Sequence, residues 1–145
     1  MKRALPTEIL LVEDNPGDVF LTSRALEKSG ASYSLNVVDN GEDALAFLRR
    51  AGAYTHAPRI DIVLLDLNLP RLSGKEVLEE IKDDDALRVL PVIVLTSSSA
   101  NNDIVTSYFS RANAYMVKPG EPATLERLIR NFTSYWLDTA ALPTR

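Results

Sequence analysis

Residues 64–74 read LLDLNLPRLSG. The apolar run Ile62-Val63-Leu64-Leu65 ends on a carboxylate, Asp66, and Pro70 and Gly74 then break the chain. A short continuous apolar run predicts a strand buried on both faces, as in a parallel sheet covered by helices. In such sheets the functional crevice lies outside the carboxyl ends of the strands. Asp66 therefore stands where chemistry is done, and the rest of the chain should show what it meets there.

Working outward, the same pattern recurs. EILLVE (8–13), YSLNVVD (33–39), IDIVLLD (60–66), LPVIVLTS (90–97) and AYMVK (114–118) read as strands. Pro91 is tolerated near a strand start. Between them lie helical patterns: PGDVFLTSRALEKSG (16–30) stopped by Gly30, NGEDALAFLRRAG (40–52), SGKEVLEEIKDD (73–84) and NDIVTSYFSRA (102–112). The last, PATLERLIRNFTSYWL (122–137), carries Leu125, Leu128, Ile129, Phe132 and Trp136 on one stripe. Five alternating βα units predict an α/β three-layer fold, flavodoxin-like (βα)5, with a parallel sheet in the order 2-1-3-4-5.

Composition bounds the function. The chain has 145 residues, within the usual ~100–200 for one domain, and 46% are apolar, enough for one sizeable core. Its net charge of −4 disfavours nucleic acid as the main partner. No cysteine is present, so disulfides and thiolate metal sites are excluded. No apolar run approaches the ~20 residues of a membrane span, and Glu13-Asp14 interrupts any leader. A soluble cytoplasmic protein is expected.

The predicted strand ends gather one constellation. Glu13-Asp14 ends the first strand, Asp66 the third, Thr96 with Ser97 and Ser98 the fourth, and Lys118 the fifth. Each has an ordinary reading alone, as a helix cap, a turn former or a solvated charge. Together on one rim they describe a site. Three crowded carboxylates repel unless a cation compensates. A divalent ion and Lys118 cancel the three charges and leave room for an anion. All-oxygen donors suit Mg²⁺, with Mn²⁺ a possible substitute. A phosphoryl group fits, its oxygens meeting the ion, Lys118 and the Thr96 hydroxyl, and Asp66 is a carboxylate that can accept it.

These residues resemble the receiver domain of two-component response regulators. The resemblance rests on Glu13-Asp14, on DLNLP beginning at Asp66, on Gly74, on Thr96 thirty residues past Asp66, and on Lys118-Pro119, and it covers about residues 8–135. It implies that Asp66 is the phosphoacceptor and that Asp14 binds Mg²⁺ directly. Glu13 acts through water, where many receivers have Asp, and the Asn68 carbonyl is the third protein ligand. Thr96 and Lys118 hold the phosphoryl oxygens, and Tyr115 is the aromatic switch. Asn68 and Ser98 occupy the positions that tune dephosphorylation. The Lys118–Pro119 peptide is expected to be cis, and kinase choice is expected on Val19–Glu27. The protein would catalyse only its own phosphorylation and dephosphorylation.

The chain is expected to be one receiver domain over 1–145, with a C-terminal extension from about 136. VEDNPGDVFL, DLNLPR and the YWL…LP tail look like the stand-alone regulators paired with bacterial phytochrome histidine kinases. No output domain is expected, so the signal is expected to leave through a surface. Tyr108, Phe109, Tyr135, Trp136, Leu137 and Leu142 are the candidate interface of a homodimer, the alternative being a tail that folds back on its own domain. His56, in a Pro-flanked loop, is expected at the surface with no phosphorelay role. A haloacid-dehalogenase-type phosphatase is the rival enzyme reading, but it needs a second acid where Asn68 stands and an opposite order of motifs. A flavodoxin-like cofactor binder lacks a phosphate loop, because EDNPGD is acidic.

Overall fold

The computed structural model describes residues 5–143; the ends of the expected 1–145 domain lie outside them. Five strands, β1 (Thr7–Val12), β2 (Tyr33–Val38), β3 (Ile62–Leu65), β4 (Val92–Thr96) and β5 (Ala114–Val117), form one parallel sheet. Their order is β2-β1-β3-β4-β5, as expected. The helices are α1 (Pro16–Ser29), α2 (Gly41–Arg49), α3 (Gly74–Asp83), α4 (Asn101–Phe109) and α5 (Pro122–Phe132), with a 3-10 turn at Gly52–Tyr54.

Period-two alternation along the strands divides the core into two layers. Leu10, Val12, Val63, Leu65, Val92 and Val94 pack on the α2/α3 side against Ala44, Phe47, Val77, Leu78 and Ile81. Ile9, Leu11, Ile62, Leu64, Ile93 and Leu95 pack on the other side against Ala25, Leu26, Leu125, Ile129 and Phe132 of α1 and α5. Each Val, Leu, Ile or Phe among them contributes roughly 1.5–3 kcal/mol by leaving water. Both faces are covered, which is why the strands read as unbroken apolar runs.

Helix ends follow their chemistry. The Asn15 side chain caps α1 by accepting from the Asp18 N–H, and Pro16 follows at the first turn. Ser73 and Glu76 form a capping box on α3. Two ends differ from expectation. α2 stops at Arg50 in the left-handed region (φ 54°) before Gly52 is reached. The last helix does not run α-helical to Leu137; it widens into a π-helix over Thr133–Thr139. Beyond α5, Trp136, Leu137 and Leu142 are half-buried against the α1/α5 core layer, while Tyr135 stays exposed with its ring edge-on to Trp136. α4 buries Ser107 alone and exposes Val105, Tyr108 and Phe109, the last 88% accessible.

Candidate functional site

The strand carboxyl ends open into one cavity of about 440 Å³, lined among others by Glu13, Asp14, Asp66, Asn68 and Lys118. Backbone pairing aims these groups. The Asp66 N–H donates to the Val12 carbonyl, carrying the β1–β3 ladder one residue past β3 and setting Asp66 beside Glu13. The Lys118 N–H donates to the Thr96 carbonyl at 2.7 Å and does the same for β5 and β4. Gly74 donates to the Leu67 carbonyl and brings the first turn of α3 onto the Asp66 backbone.

Lys118 is the hub. Its ammonium donates to Glu13 Oε1, to Asp66 Oδ2 at 2.9 Å and to Asp18 Oδ2 at 2.9 Å. Burial would lower its pKa, but these three hydrogen bonds outweigh that and raise it, so Lys118 stays charged. Burial pushes Glu13 up to about 7, against the opposing bond from Lys118. Burial would raise Asp66 as well. The Asn68 N–H, the Lys118 ammonium and the nearby Thr96 hydroxyl overcome it and hold Asp66 below its ordinary value. The shifts run in opposite directions, and Asp66 is the carboxylate held as an anion able to act as a nucleophile.

Thr96 is fully buried, and its hydroxyl makes no hydrogen bond of standard geometry, although it lies close enough to favour the Asp66 anion. A buried hydroxyl left so is an unfilled acceptor-and-donor position. Oxygens of Glu13, Asp14 and Asp66 lie within 4.8 Å of one another. That all-oxygen set, with Asp14 exposed to the cavity, fits Mg²⁺ or Mn²⁺. Bound there, the ion would neutralise the carboxylates and polarise an incoming phosphoryl group.

Behind the rim, Tyr115 is half-buried against the α2/α3 core layer and its hydroxyl donates to the Ser98 carbonyl at 2.9 Å. The Ser98 hydroxyl donates to Asp103 Oδ2 at 2.6 Å, and Asp103 Oδ1 pairs with Lys75 at 2.7 Å. His56 is exposed, as expected. The dimer candidates Tyr108, Phe109 and Tyr135 are exposed away from this cavity. The Lys118–Pro119 peptide is not cis, since no cis bond occurs among the described residues. A tertiary amide prefers trans by ~0.5–1 kcal/mol, so cis arises only where packing demands it.

One member of the site is absent from the sequence reading. Asp18, in the first turn of α1, adds a fourth carboxylate. The charges of a divalent ion and Lys118 therefore leave the site one unit negative while every carboxylate is ionised, and the neutral balance expected from three acids is corrected.

A response regulator receiver domain model matches residues 9–130. Response regulator Rcp1 of Synechocystis sp. is 40% identical over 138 residues, covering 95% of this chain and 94% of that protein. The crystal structure of the Mn(2+)-bound form of Rcp1 superposes with a TM-score of 0.90, covering 96% of this chain and all of the other. That of the phosphorylated cyanobacterial phytochrome response regulator RcpA, 41% identical, superposes at 0.91 over 96% of this chain and 99% of the other. The phosphatase alternative finds no support, since the acid it requires two residues past Asp66 is Asn68. The chain belongs to the response regulator receiver family.

Proposed function

We propose that Asp66 accepts a phosphoryl group from a phosphohistidine of a bacterial phytochrome-type histidine kinase. The observation that carries this reading is a buried carboxylate held as an anion by the Asn68 N–H and Lys118, with the buried Thr96 hydroxyl close by and making no hydrogen bond of standard geometry. An Asp66 oxygen attacks phosphorus, the P–N bond to the donor imidazole breaks, and its electron pair returns to the ring. Hydrolysis reverses the state: water attacks phosphorus and the Asp66 carboxylate leaves. The chain's own residues supply positioning and charge for both steps. Glu13, Asp14, Asp66 and the Asn68 carbonyl form the metal set. Lys118 and Thr96 hold phosphoryl oxygens, and Asn68 and Ser98 tune hydrolysis. Because the Ser98 side chain is engaged by Asp103, Ser98 acts through the loop and not by reaching into the cavity.

The same geometry supports a switch. Phosphoryl oxygens are strong acceptors and draw the Thr96 hydroxyl toward them. The loop after β4 moves with it, and the Tyr115 hydroxyl, anchored on the Ser98 carbonyl, is released or drawn inward. The readout is a cytoplasmic protein–protein interaction, including a homodimer built on Tyr108, Phe109, Tyr135, Trp136, Leu137 and Leu142. The exposure of Tyr108, Phe109 and Tyr135 supports it. No helix among the described residues is long and apolar enough to cross a membrane. The test is phosphotransfer profiling against purified histidine kinases. Preferential transfer from a phytochrome kinase supports the proposal, and transfer only from unrelated kinases contradicts it.

A further inference from the structure

We propose that Asp18 is a positioning residue for the phosphoryl site: it is the exchangeable partner of Lys118, the carboxylate that gives way when a phosphoryl oxygen takes its place. This rests on the acceptor role proposed for Asp66.

An ammonium has three N–H donors. All three are used, one each on Glu13, Asp66 and Asp18. Lys118 cannot meet an incoming oxygen without releasing a partner. A released carboxylate must be rehydrated, and the cost of leaving one buried and unpaired is large. The Glu13 and Asp66 side chains are only 2% and 7% accessible, whereas that of Asp18 is 38% accessible. Glu13 and Asp66 are also tied down by second hydrogen bonds, from the Asn15 and Asn68 N–H groups. Asp18 sits in the first turn of α1, where the helix N-terminus favours a negative charge that has lost its partner.

Before phosphorylation, Asp18 therefore holds the ammonium at the cavity wall and completes its charge compensation. Afterwards it competes with the phosphoryl group for Lys118. Asp18 thus sets how firmly the phosphorylated state is held, and does so from outside the positions that the family motif marks.

The test uses the full chain with Mg²⁺ and beryllium trifluoride, a phosphoryl mimic, titrated by NMR on the Tyr115 resonances. It is paired with the decay of the acetyl-phosphate-loaded protein. Asp18→Asn keeps the shape and weakens the competitor. A charge-assisted hydrogen bond at a partly exposed site corresponds to about a threefold to tenfold change. The variant should bind the mimic tighter by that factor and keep its phosphoryl group longer, and Asp18→Glu should return both toward wild type. A merely structural role would weaken binding in both variants and lower their melting temperature, which overturns the inference. Unchanged affinity and lifetime in Asp18→Asn, with normal wild-type binding, also overturns it while leaving the acceptor assignment intact. No binding by the wild type would overturn both.

Discussion

Gly74 is the narrowest joint between fold and site, and Gly74→Ala tests it. A Cβ there would lie 2.5 Å from the Leu67 Cα and closer still to the Asp66 carbonyl oxygen. Carbon atoms in contact sit about 3.5 Å apart, so the backbones must separate by roughly 1 Å. The neighbour is main chain and has no rotamer to yield. α3 cannot withdraw easily, because Val77, Leu78 and Ile81 are fully buried and the capping box pins its first turn. The Asp66–Leu67 segment must give instead. Overpacking of this kind costs about 1–3 kcal/mol, which lowers the melting temperature by about 4–10 °C in a chain of this size. A shift of roughly 1 Å in a reacting group costs on the order of a hundredfold in rate. Phosphorylation by acetyl phosphate and thermal melting, measured together, should both fall. Gly120→Ala is the control, since its Cβ would meet nothing within 4 Å. A Gly74→Ala protein with wild-type melting and labelling would refute the claim that this close approach positions Asp66.

Three further outcomes are expected. Thr96→Val removes a buried hydroxyl that makes no hydrogen bond of standard geometry, so the melting temperature should change by the equivalent of no more than ~1 kcal/mol. Asp66 should still be phosphorylated in that variant, while the Tyr115 NMR shifts on phosphorylation are lost. Glu13 is held near 7 in the folded protein against 4.5 for its ordinary value, so the folded state binds the extra proton between those values. Its contribution is complete below pH 4.5 and lost as pH rises through 7. Metal-free wild type should therefore lose up to about 3 kcal/mol relative to Glu13→Gln across that window in denaturant titrations, and Mg²⁺ should reduce the loss. Phe109→Asp should convert a sedimenting dimer to a monomer, and a monomeric wild type at tens of micromolar would rule the dimer out.

The candidate site was legible where its residues stand at strand ends. Asp66, Thr96 and Lys118 close unbroken apolar runs, and sheet order then brings them together. Asp18 was not readable, because an acid in a first helical turn is already explained by the helix N-terminus. Only its ion pair with Lys118, one hundred residues away, gives it a second role. The Ser98 hydroxyl is turned by Asp103 on the next helix, a contact no spacing rule encodes. β3 begins two residues later than IDIVLLD suggests, as Asp61 spends its carboxylate on the Glu8 N–H. The widening of the last helix at Thr133 also escapes pattern reading, since apolar residues recur there at near-α spacing.

The central claim is that Asp66 takes the phosphoryl group. Intact-mass and fragment mass spectrometry of the chain after acetyl phosphate and Mg²⁺ tests it most directly. The account predicts one phosphoryl adduct that maps to Asp66, disappears with excess chelator and is absent from Asp66→Asn. An equal adduct in Asp66→Asn, or one on another residue of the wild type, would contradict it.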